Sequence, residues 1–253
     1  MQEPVSPIQI TLPVRQLVEF LRRVGSIDNR FTGFDRANEG ARIHRKLQRA
    51  AVKEHADYAA EVFLRGIFAY EEIEFTLEGR ADGIFTAADG VTVVDEIKTT
   101  ACPAADITPD FAPEHWAQAI VYAAIYAAQH ELEEMRVQLT YFQVDEELIL
   151  RFERHYTAQQ LQEEVEALLA EYAPWARRAV EWKKARNSDL QAMQFPFPAY
   201  RPGQRAMAGE VYKVCRDGGQ LLCQAPTGIG KSMSVLFPAL KSMGNERVGP
   251  IFY

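Results

Sequence analysis

Two acids and a lysine lie close together in VVDEIKTT, residues 93–100. The apolar residues that open this stretch predict a strand, and successive side chains of a strand point to opposite faces. Glu96 and Lys98 then share one face, while Asp95 and Ile97 share the other. One interpretation is an edge strand with a Glu96–Lys98 ion pair on its solvent-facing side. The alternative is a site at which these charges carry out chemistry.

A third acid, Asp82, lies thirteen positions before Asp95 in RADGIFTA, which also predicts a strand. The turn signal AADG at 87–90 predicts a hairpin that brings Asp82 and Glu96 together beside Lys98. Two close carboxylates repel unless a cation lies between them, and oxygen ligands suit Mg²⁺ or Mn²⁺. Such an ion would polarise a phosphodiester and activate a water, while Lys98 would orient that water or stabilise charge on the phosphate. The spacing alone leaves the structural ion pair open.

The surrounding pattern predicts the elements that position these residues. Residues 12–53 are mostly helical in pattern, and strands are predicted at 71–77, 80–87, 91–100, 136–144 and 147–155. Helices are predicted at 114–134 and 157–186, the second with Thr157 as its cap and a break at Pro174. This order predicts an α/β fold with a mixed sheet flanked by helices, and not a regular βαβ alternation.

Four motifs resemble the RecB-like and Cas4-like branch of the PD-(D/E)XK nucleases. In chain order they are EGARIH, GRADGIF, VVDEIKTT and QAIVY. The resemblance implies a restriction-endonuclease-like fold, a DNA substrate and Mg²⁺ or Mn²⁺ as cofactor. It implies catalytic roles for Asp82, Glu96, Lys98, Gln118 and Tyr122, and metal ligation by His44, Asp82, Glu96 and Ile97. Many relatives bind an iron–sulfur cluster through four cysteines, but this region has Cys102 alone, so no cluster is expected. As ordinary structure, Gln118 and Tyr122 would be helix-packing partners and His44 a polar residue on a basic helix.

A basic stripe runs along the predicted helix that carries His44. Arg42, Lys46, Arg49 and Lys53 follow each other at spacings of four, three and four, which places them on one helix face. Such a stripe is either a solvated face or, because His44 is close to it, a track for DNA phosphates.

The stretch LLCQAPTGIGKS, residues 221–232, predicts a strand, a glycine-bearing loop and a helix, which is the context of a Walker A motif. It resembles the form found in superfamily 2 helicases, with Ala225 in place of the first glycine, and the upstream YRPGQ resembles the entry of XPD/DinG-like (Rad3-type) helicases. In that reading the loop cradles phosphates, Lys231 reaches the β- and γ-phosphates, and Ser232 holds Mg²⁺. The implied ATP-binding residues are Arg201, Gln204, Ala225, Pro226, Thr227, Gly228, Ile229, Gly230, Lys231 and Ser232.

These motifs predict three segments: a nuclease domain at 1–190, a proline-containing linker at 191–200, and the truncated start of a RecA-like ATP-binding domain at 201–253. The terminal GPIFY resembles the strand that opens the next helicase motif. No DEAH-like or DECH-like tetrapeptide follows Ser232. We therefore expect ATP hydrolysis and unwinding only in a longer parent protein.

Composition narrows the class of protein further. The 253 residues are 47% hydrophobic and 25% charged, and no apolar run approaches the ~18 residues of a membrane span. The start of the chain lacks a secretory pattern, and three scattered cysteines do not form a disulfide framework, so we expect a cytoplasmic protein with no membrane partner. The chain has a net charge of −7, which is unevenly spread: from Tyr200 onward 7 Lys and Arg against 3 Asp and Glu give +4, so residues 1–199 carry −11. This argues against nonspecific nucleic-acid binding over the whole surface.

Three functional hypotheses follow. The first is a metal-dependent DNA nuclease that is coupled, in its parent, to an ATP-dependent DNA helicase in DNA repair or processing. The second is a fragment of an ATP-dependent helicase whose nuclease-like module is inactive. The third is a DNA-binding accessory module, which predicts binding without metal dependence and without product.

Overall fold

The computed structural model describes the backbone of residues 7–23 and 33–253 and the side chains of 7–23 and 39–253. The chain divides into two compact units between Pro174 and Trp175. This division falls inside one long helix. The predicted end of the nuclease domain, residue 190, lies further along the same helix. Among the described residues, no helix combines the length and the apolar composition that crossing a membrane requires.

The first unit alternates strands and helices. Its elements are β1 (Ile8–Pro13), α1 (Val14–Arg22), α2 (Gly33–Glu54), β2 (Ala59–Tyr70), β3 (Ile73–Thr86), β4 (Thr92–Thr100), a 3₁₀ turn (Ala104–Asp106), α3 (Pro113–His130), β5 (Glu134–Gln143), β6 (Leu148–Thr157) and the first part of α4 (Ala158–Ala192). In the second unit α4 is followed by α5 (Gln204–Asp217) and α6 (Lys231–Gly244).

The six strands form one mixed sheet in the order β1-β3-β4-β5-β6, with β2 also paired to β3. β1 runs parallel to β3 and β4 parallel to β5, whereas the β2–β3, β3–β4 and β5–β6 pairs are antiparallel. Helices cover the sheet: Ile43 and Leu47 of α2 pack on Ile97 of β4, and α3 packs against β4 and β5. The predicted mixed α/β fold with flanking helices is confirmed.

The strand predictions need correction. The stretches predicted as separate strands at 71–77 and 80–87 form the single strand β3, while β1 and β2 were not predicted. β1 carries a readable alternation, Ile8, Ile10 and Leu12, which the assignment of 12–53 to helix obscured. The long strand β3 is stabilised by β1 and β2 on its two sides, and this pairing is not visible in local sequence. Residues 24–32 of the predicted helical region lie outside the described part of the chain.

The predicted cap of α4 is confirmed, and the predicted break is wrong. Thr157 Oγ1 accepts a hydrogen bond from the Gln160 N–H at 3.2 Å, and Gln160 Oε1 accepts one from the Thr157 N–H at 2.9 Å, which is a reciprocal capping box. The helix continues through Pro174. Losing one backbone bond at a proline costs about 3 kcal/mol, which a helix with fully buried residues such as Leu161 and Leu169 can sustain.

The second unit lacks the strands that were predicted for it. Residues 218–226 and 249–253 have no strand structure, and Leu222 is 99% exposed. A strand requires a neighbour to accept and donate its ladder hydrogen bonds. None of the six described strands pairs with these segments, so the apolar stretch before the glycine loop does not form a strand.

Candidate active site

The β3–β4 hairpin brings Asp82 to the backbone of β4, as the turn signal predicted. Gly90 closes the turn with φ of 87°, a conformation that favours glycine, and Gly83 lies opposite Asp95. Beyond that pair, Asp82 Oδ2 accepts a hydrogen bond from the Ile97 N–H at 2.8 Å. The acid of β3 is therefore fixed beside the acid-rich segment of β4.

Glu96 and Lys98 form an ion pair on the face of β4 that α3 covers. The Lys98 ammonium lies 2.7 Å from Glu96 Oε1 and donates to Gln118 Oε1 at 3.1 Å. Glu96 is only 2% exposed, and its second oxygen, Oε2, is buried without a hydrogen-bond partner. A buried, unpartnered carboxylate oxygen is costly, and it is the kind of atom that a bound cation would satisfy.

The pKa of Glu96 is raised to about 7, mainly by burial; the charge of Lys98 opposes this rise, and the nearby charge of Asp82 adds to it. Burial thus favours the protonated, uncharged form of this carboxyl. A divalent cation beside Glu96 and Asp82 would reverse this balance, because an opposite charge favours the ionised form. The side chains thus fit a metal ion, and the edge-strand interpretation does not hold, since Glu96 is buried.

His44 reaches the same place from α2. Its Nδ1 lies 3.5 Å from Asp82 Oδ1, and hydrogen bonding to this carboxylate raises the pKa of His44. Gln48, one turn later, donates to the Asp82 carbonyl at 3.0 Å. Gln48 was not predicted, although its position four residues after His44 placed it on the same helix face.

Gln118 and Tyr122 of α3 complete the buried face. Gln118 is 8% exposed and holds Lys98. The Tyr122 hydroxyl lies 2.5 Å from the place that a Cβ of Gly79 would occupy, so glycine lets the ring approach β3. Burial, then the charge of Glu96, raises the pKa of Tyr122, so this hydroxyl remains a hydrogen-bond donor.

Asp95 belongs to the opposite face of β4. Its Oδ1 accepts hydrogen bonds from Thr140 Oγ1 at 2.6 Å and from Gln138 Nε2 at 3.0 Å, and its Oδ2 from the Tyr58 hydroxyl at 3.4 Å. Burial raises the pKa of Asp95. Because these partners come from β5 and from the loop before β2, Asp95 ties β4 to its neighbours and does not line the site.

The basic stripe of α2 lines a cleft of about 1210 Å³. The cleft floor includes Ile43 and Phe142, and Lys46 lies over the Phe142 ring at 5.8 Å. The cations that line it are Arg42, Lys46, Arg49 and Lys53, together with Arg45, which was not predicted; the acids are Glu39, Glu54 and Glu147. In the described part of the chain, Arg49 and Lys53 have no ion-pair partner, so their charges face the cleft.

The glycine loop of the second unit precedes α6 directly, which begins at Lys231. Gly228 and Gly230 have φ of 84° and 88°. The Lys231 ammonium folds back over the loop and donates to the carbonyls of Ala225 at 3.2 Å and Pro226 at 3.0 Å. The loop thus holds the ammonium of Lys231 next to its own backbone, directly before the N-terminus of α6.

The two upstream residues assigned to nucleotide contact lie against this loop. Gln204 Nε2 donates to the Gly230 carbonyl at 3.3 Å, and the Arg201 guanidinium donates to the Gly228 carbonyl. Ser232 Oγ accepts a hydrogen bond from the Tyr253 hydroxyl at 2.8 Å. Arg201 and Gln204 therefore support the loop backbone in this structure.

Comparison with known proteins gives two partial likenesses. A protein described as a probable ATP-dependent helicase of Methanocaldococcus jannaschii is 38% identical over 47 residues, which cover 19% of this chain and 7% of the helicase. The chain thus spans a small fraction of that relative. The crystal structure of SSO0001 superposes with a TM-score of 0.41 and 17% identity, over 67% of this chain and 78% of the other.

The model of the PD-(D/E)XK nuclease superfamily matches residues 14–202, about three quarters of the chain. This range includes the five strands β2 to β6 and the buried cluster of Asp82, Glu96 and Lys98. The superfamily consists of nucleases, which hydrolyse phosphodiester bonds and typically use divalent metal ions. From the agreement of family match, mixed sheet and buried acid–lysine cluster, we conclude that this chain belongs to the PD-(D/E)XK nuclease superfamily.

Proposed function

We propose that this chain is a metal-dependent deoxyribonuclease, which hydrolyses phosphodiester bonds of single-stranded DNA or of DNA ends. The observation that carries the proposal is the Lys98 ammonium held between Glu96 and Gln118, next to a Glu96 oxygen that has no partner. That free oxygen is a buried acceptor which a bound cation would satisfy.

The metal ligands in this proposal are Asp82, Glu96, His44 and the main-chain carbonyl of Ile97. In the described part of the chain, no three His, Cys, Asp or Glu side chains already form a ready-made metal site. Mg²⁺ is commonly held by only one or two carboxylates, with water and substrate oxygens in its other positions. When bound, Mg²⁺ or Mn²⁺ would neutralise charge at the scissile phosphate and lower the pKa of a water.

The protein's own residues then position the reaction. Lys98 is 23% exposed, so its ammonium can reach a water or a phosphate oxygen while its stem stays packed. Gln118 fixes that ammonium, and the protonated Tyr122 hydroxyl supports the buried wall between α3 and β3. Lys98 orients the attacking water and stabilises the negative charge that develops on the phosphate.

The DNA path in this proposal runs through the cleft along α2. His44 faces Asp82 from the same helix that lines the cleft with Arg42, Lys46, Arg49 and Lys53, so one helix carries both the cleft cations and a proposed metal ligand. Lysine and arginine side chains that neutralise phosphates supply sequence-independent affinity. In a chain whose net charge is −7, this local basic cleft is a specific place for a polyanion.

We further propose that the chain belongs to a longer ATP-dependent DNA helicase of the Rad3 type, which feeds DNA to the nuclease during repair or end processing. The 47-residue likeness to a probable helicase supports this coupling, and so does the Lys231 loop at the start of α6. ATP would bind at that loop with Mg²⁺ at Ser232. The three free cysteines fit the reducing cytoplasm in which such a protein would act.

A second candidate is a helicase fragment with an inactive, DNA-binding nuclease-like module. The lack of a preformed three-ligand cluster among the described side chains favours it. It predicts DNA binding without cleavage in either metal.

The deciding experiment measures cleavage of end-labelled single- and double-stranded DNA in Mg²⁺, Mn²⁺ or EDTA. Wild type is compared with Glu96→Ala, Lys98→Ala and the exposed-surface control Lys184→Ala. We expect metal-dependent products from wild type and the control, and at least a 100-fold lower rate in both site variants, as for loss of an electrostatic catalyst. A folded wild type that binds DNA but forms no product in either metal would refute the nuclease and favour the second candidate.

A further inference from the structure

We infer that Arg15 of α1 binds a phosphate of the DNA strand next to the scissile one, on the side of the site opposite the α2 cleft. This inference rests on the proposed nuclease function and adds a binding residue to it. Arg15 belongs to none of the motifs that identify the site in the sequence.

The sheet brings α1 to the catalytic face. β1 runs parallel to β3, with Pro13 opposite Glu78, and α1 begins at the next residue. On β3 the chain continues through Gly79, where the Tyr122 hydroxyl packs, towards Asp82. The first turn of α1 is therefore placed at the level of the sheet where the site begins.

Buried residues hold this turn in place and leave the arginine free to contact a ligand. Val14, Leu17 and Val18 are at most 1% exposed and fix the inner face of α1. The Arg15 side chain is 74% exposed, and its Nε lies 2.7 Å from Glu19 Oε1, one turn along the helix. The remaining nitrogens of the guanidinium can donate two parallel hydrogen bonds to a phosphate.

The electrostatic interactions of Arg15 support this placement of α1. The hydrogen bond to Glu19 raises the pKa of Arg15, and the charges of Glu96 and Tyr122 raise it as well. The pKa of His115 on α3 is lowered mainly by burial, and the positive charges of Lys98 and Arg15 lower it as well. These interactions agree with the placement of the first turn of α1 that follows from the pairing of β1 with β3 and the packing of α1 on α3.

The two basic features lie on opposite sides of β4. α2 and its cleft cover the face of Ile97, whereas α3 covers the face of Glu96 and Lys98, and α1 packs on α3. A DNA strand that leaves the cleft and crosses the acids would next meet Arg15. Phosphates recur along the strand at every nucleotide, so one of them falls within reach of the guanidinium.

The competing explanation is a surface ion pair between Arg15 and Glu19 that has no role in binding. Exposed pairs at this spacing add little stability. Glu19→Gln distinguishes the two explanations, since it removes the pair but keeps the cation. Arg23→Ala, at the other end of α1, controls for the loss of one positive charge.

The test compares cleavage and DNA binding by wild type, Arg15→Ala, Arg15→Lys, Glu19→Gln and Arg23→Ala, with binding measured in the Lys98→Ala background. A series of oligonucleotides carries one neutral methylphosphonate at each position around the cleavage site. We expect Arg15→Ala to weaken binding about 5- to 20-fold, as for loss of a charge-assisted hydrogen bond. The slope of log affinity against log salt concentration should fall by about one released ion. Arg15→Lys should restore part of the binding, and Glu19→Gln and Arg23→Ala should bind within about twofold of wild type.

A methylphosphonate at one position should weaken binding by wild type but should not weaken binding by Arg15→Ala any further. That position identifies the phosphate that Arg15 contacts. If wild type cleaves DNA and Arg15→Ala binds and cleaves like it, the inference is wrong and the proposed function stands. Equal losses in Arg15→Ala and Glu19→Gln would also overturn it and show a structural ion pair. A wild type that neither binds nor cleaves DNA would refute both proposals.

Discussion

Asp95 and Glu96 are consecutive buried acids that point to opposite faces of β4. Asp95 accepts hydrogen bonds from Thr140, Gln138 and Tyr58, whereas one oxygen of Glu96 has Lys98 and the other has no partner. One strand therefore carries an acid whose two oxygens are both hydrogen-bonded and an acid with one oxygen that has no partner. This contrast predicts opposite consequences for two similar substitutions.

Glu96→Gln should stabilise the metal-free protein and abolish cleavage. The pKa of Glu96 is raised from 4.5 to about 7 by burial, so between these values the folded state holds more protons than the unfolded chain. Stability of the wild type then falls as pH rises from about 4.5 to 7, and the variant lacks this loss. At pH 8 in EDTA we expect the variant to be more stable by about 1–3 kcal/mol.

Urea unfolding at pH 5 and pH 8 measures the effect, with the exposed Glu134→Gln as the matched control. The gain should be present at pH 8, small at pH 5, and absent from the control. If the variant is less stable than wild type at pH 8, the buried Glu96 carboxylate does not destabilise the folded protein and the prediction is wrong.

Asp95→Asn should have the reverse profile. The new amide places an N–H among donors, so at least one of the hydroxyls of Thr140 and Tyr58 loses its acceptor. We expect a loss of about 1–3 kcal/mol of unfolding free energy, the cost of a buried unsatisfied group. The Mg²⁺ concentration for half-maximal cleavage should remain at the wild-type value, because Asp95 does not line the site. A large shift in that concentration would show that Asp95 acts on the metal.

Much of this site was readable from the sequence because it depends on short-range rules. The turn around Gly90 set the hairpin, and strand alternation separated Glu96 from Asp95. Burial is what the sequence did not show: it removes the solvated edge-strand interpretation and leaves a Glu96 oxygen without a partner.

Other features depend on contacts between distant segments, and no local pattern reveals them. Arg15 reaches the site through the parallel pairing of Pro13 with Glu78, sixty-five residues apart. The apolar run at Leu221 and Leu222 has the composition of a strand but no partner strand in the described structure, so composition alone misled. At Pro174 a local rule predicted a break that the packing of α4 overrides.

Removing charge from the cleft should weaken DNA binding in a salt-dependent manner. Arg42 and Arg49 lie two turns apart on α2 and both line the cleft. For the double variant Arg42→Ala/Arg49→Ala we expect the slope of log affinity against log salt to fall by nearly two ions, uniformly across sequences. Fluorescence anisotropy with labelled oligonucleotides at 50–200 mM salt measures it, with Lys184→Ala as control. An unchanged slope would place the DNA elsewhere.

His115 should make the protein acid-sensitive. It lies partly buried at the start of α3, where its Nδ1 is 2.9 Å from the Tyr141 hydroxyl, and Tyr141 is the register partner of Lys98. Burial, then the charges of Lys98 and Arg15, lowers the pKa of His115 to about 3. Below pH 6.5 the unfolded chain therefore binds a proton that the folded protein does not, and stability falls as pH decreases towards 3.

His115→Gln removes this titration while it keeps a partner for Tyr141. Between pH 7 and pH 4.5 we expect the variant to lose about 2 kcal/mol less unfolding free energy than wild type, since each unit of pKa difference corresponds to 1.36 kcal/mol. Urea unfolding at several pH values measures the difference, and His130→Gln, at the other end of the same helix, should follow wild type. Parallel curves of unfolding free energy against pH for wild type and His115→Gln would contradict the prediction. They would mean that the imidazole takes up a proton in the folded protein as readily as in the unfolded chain.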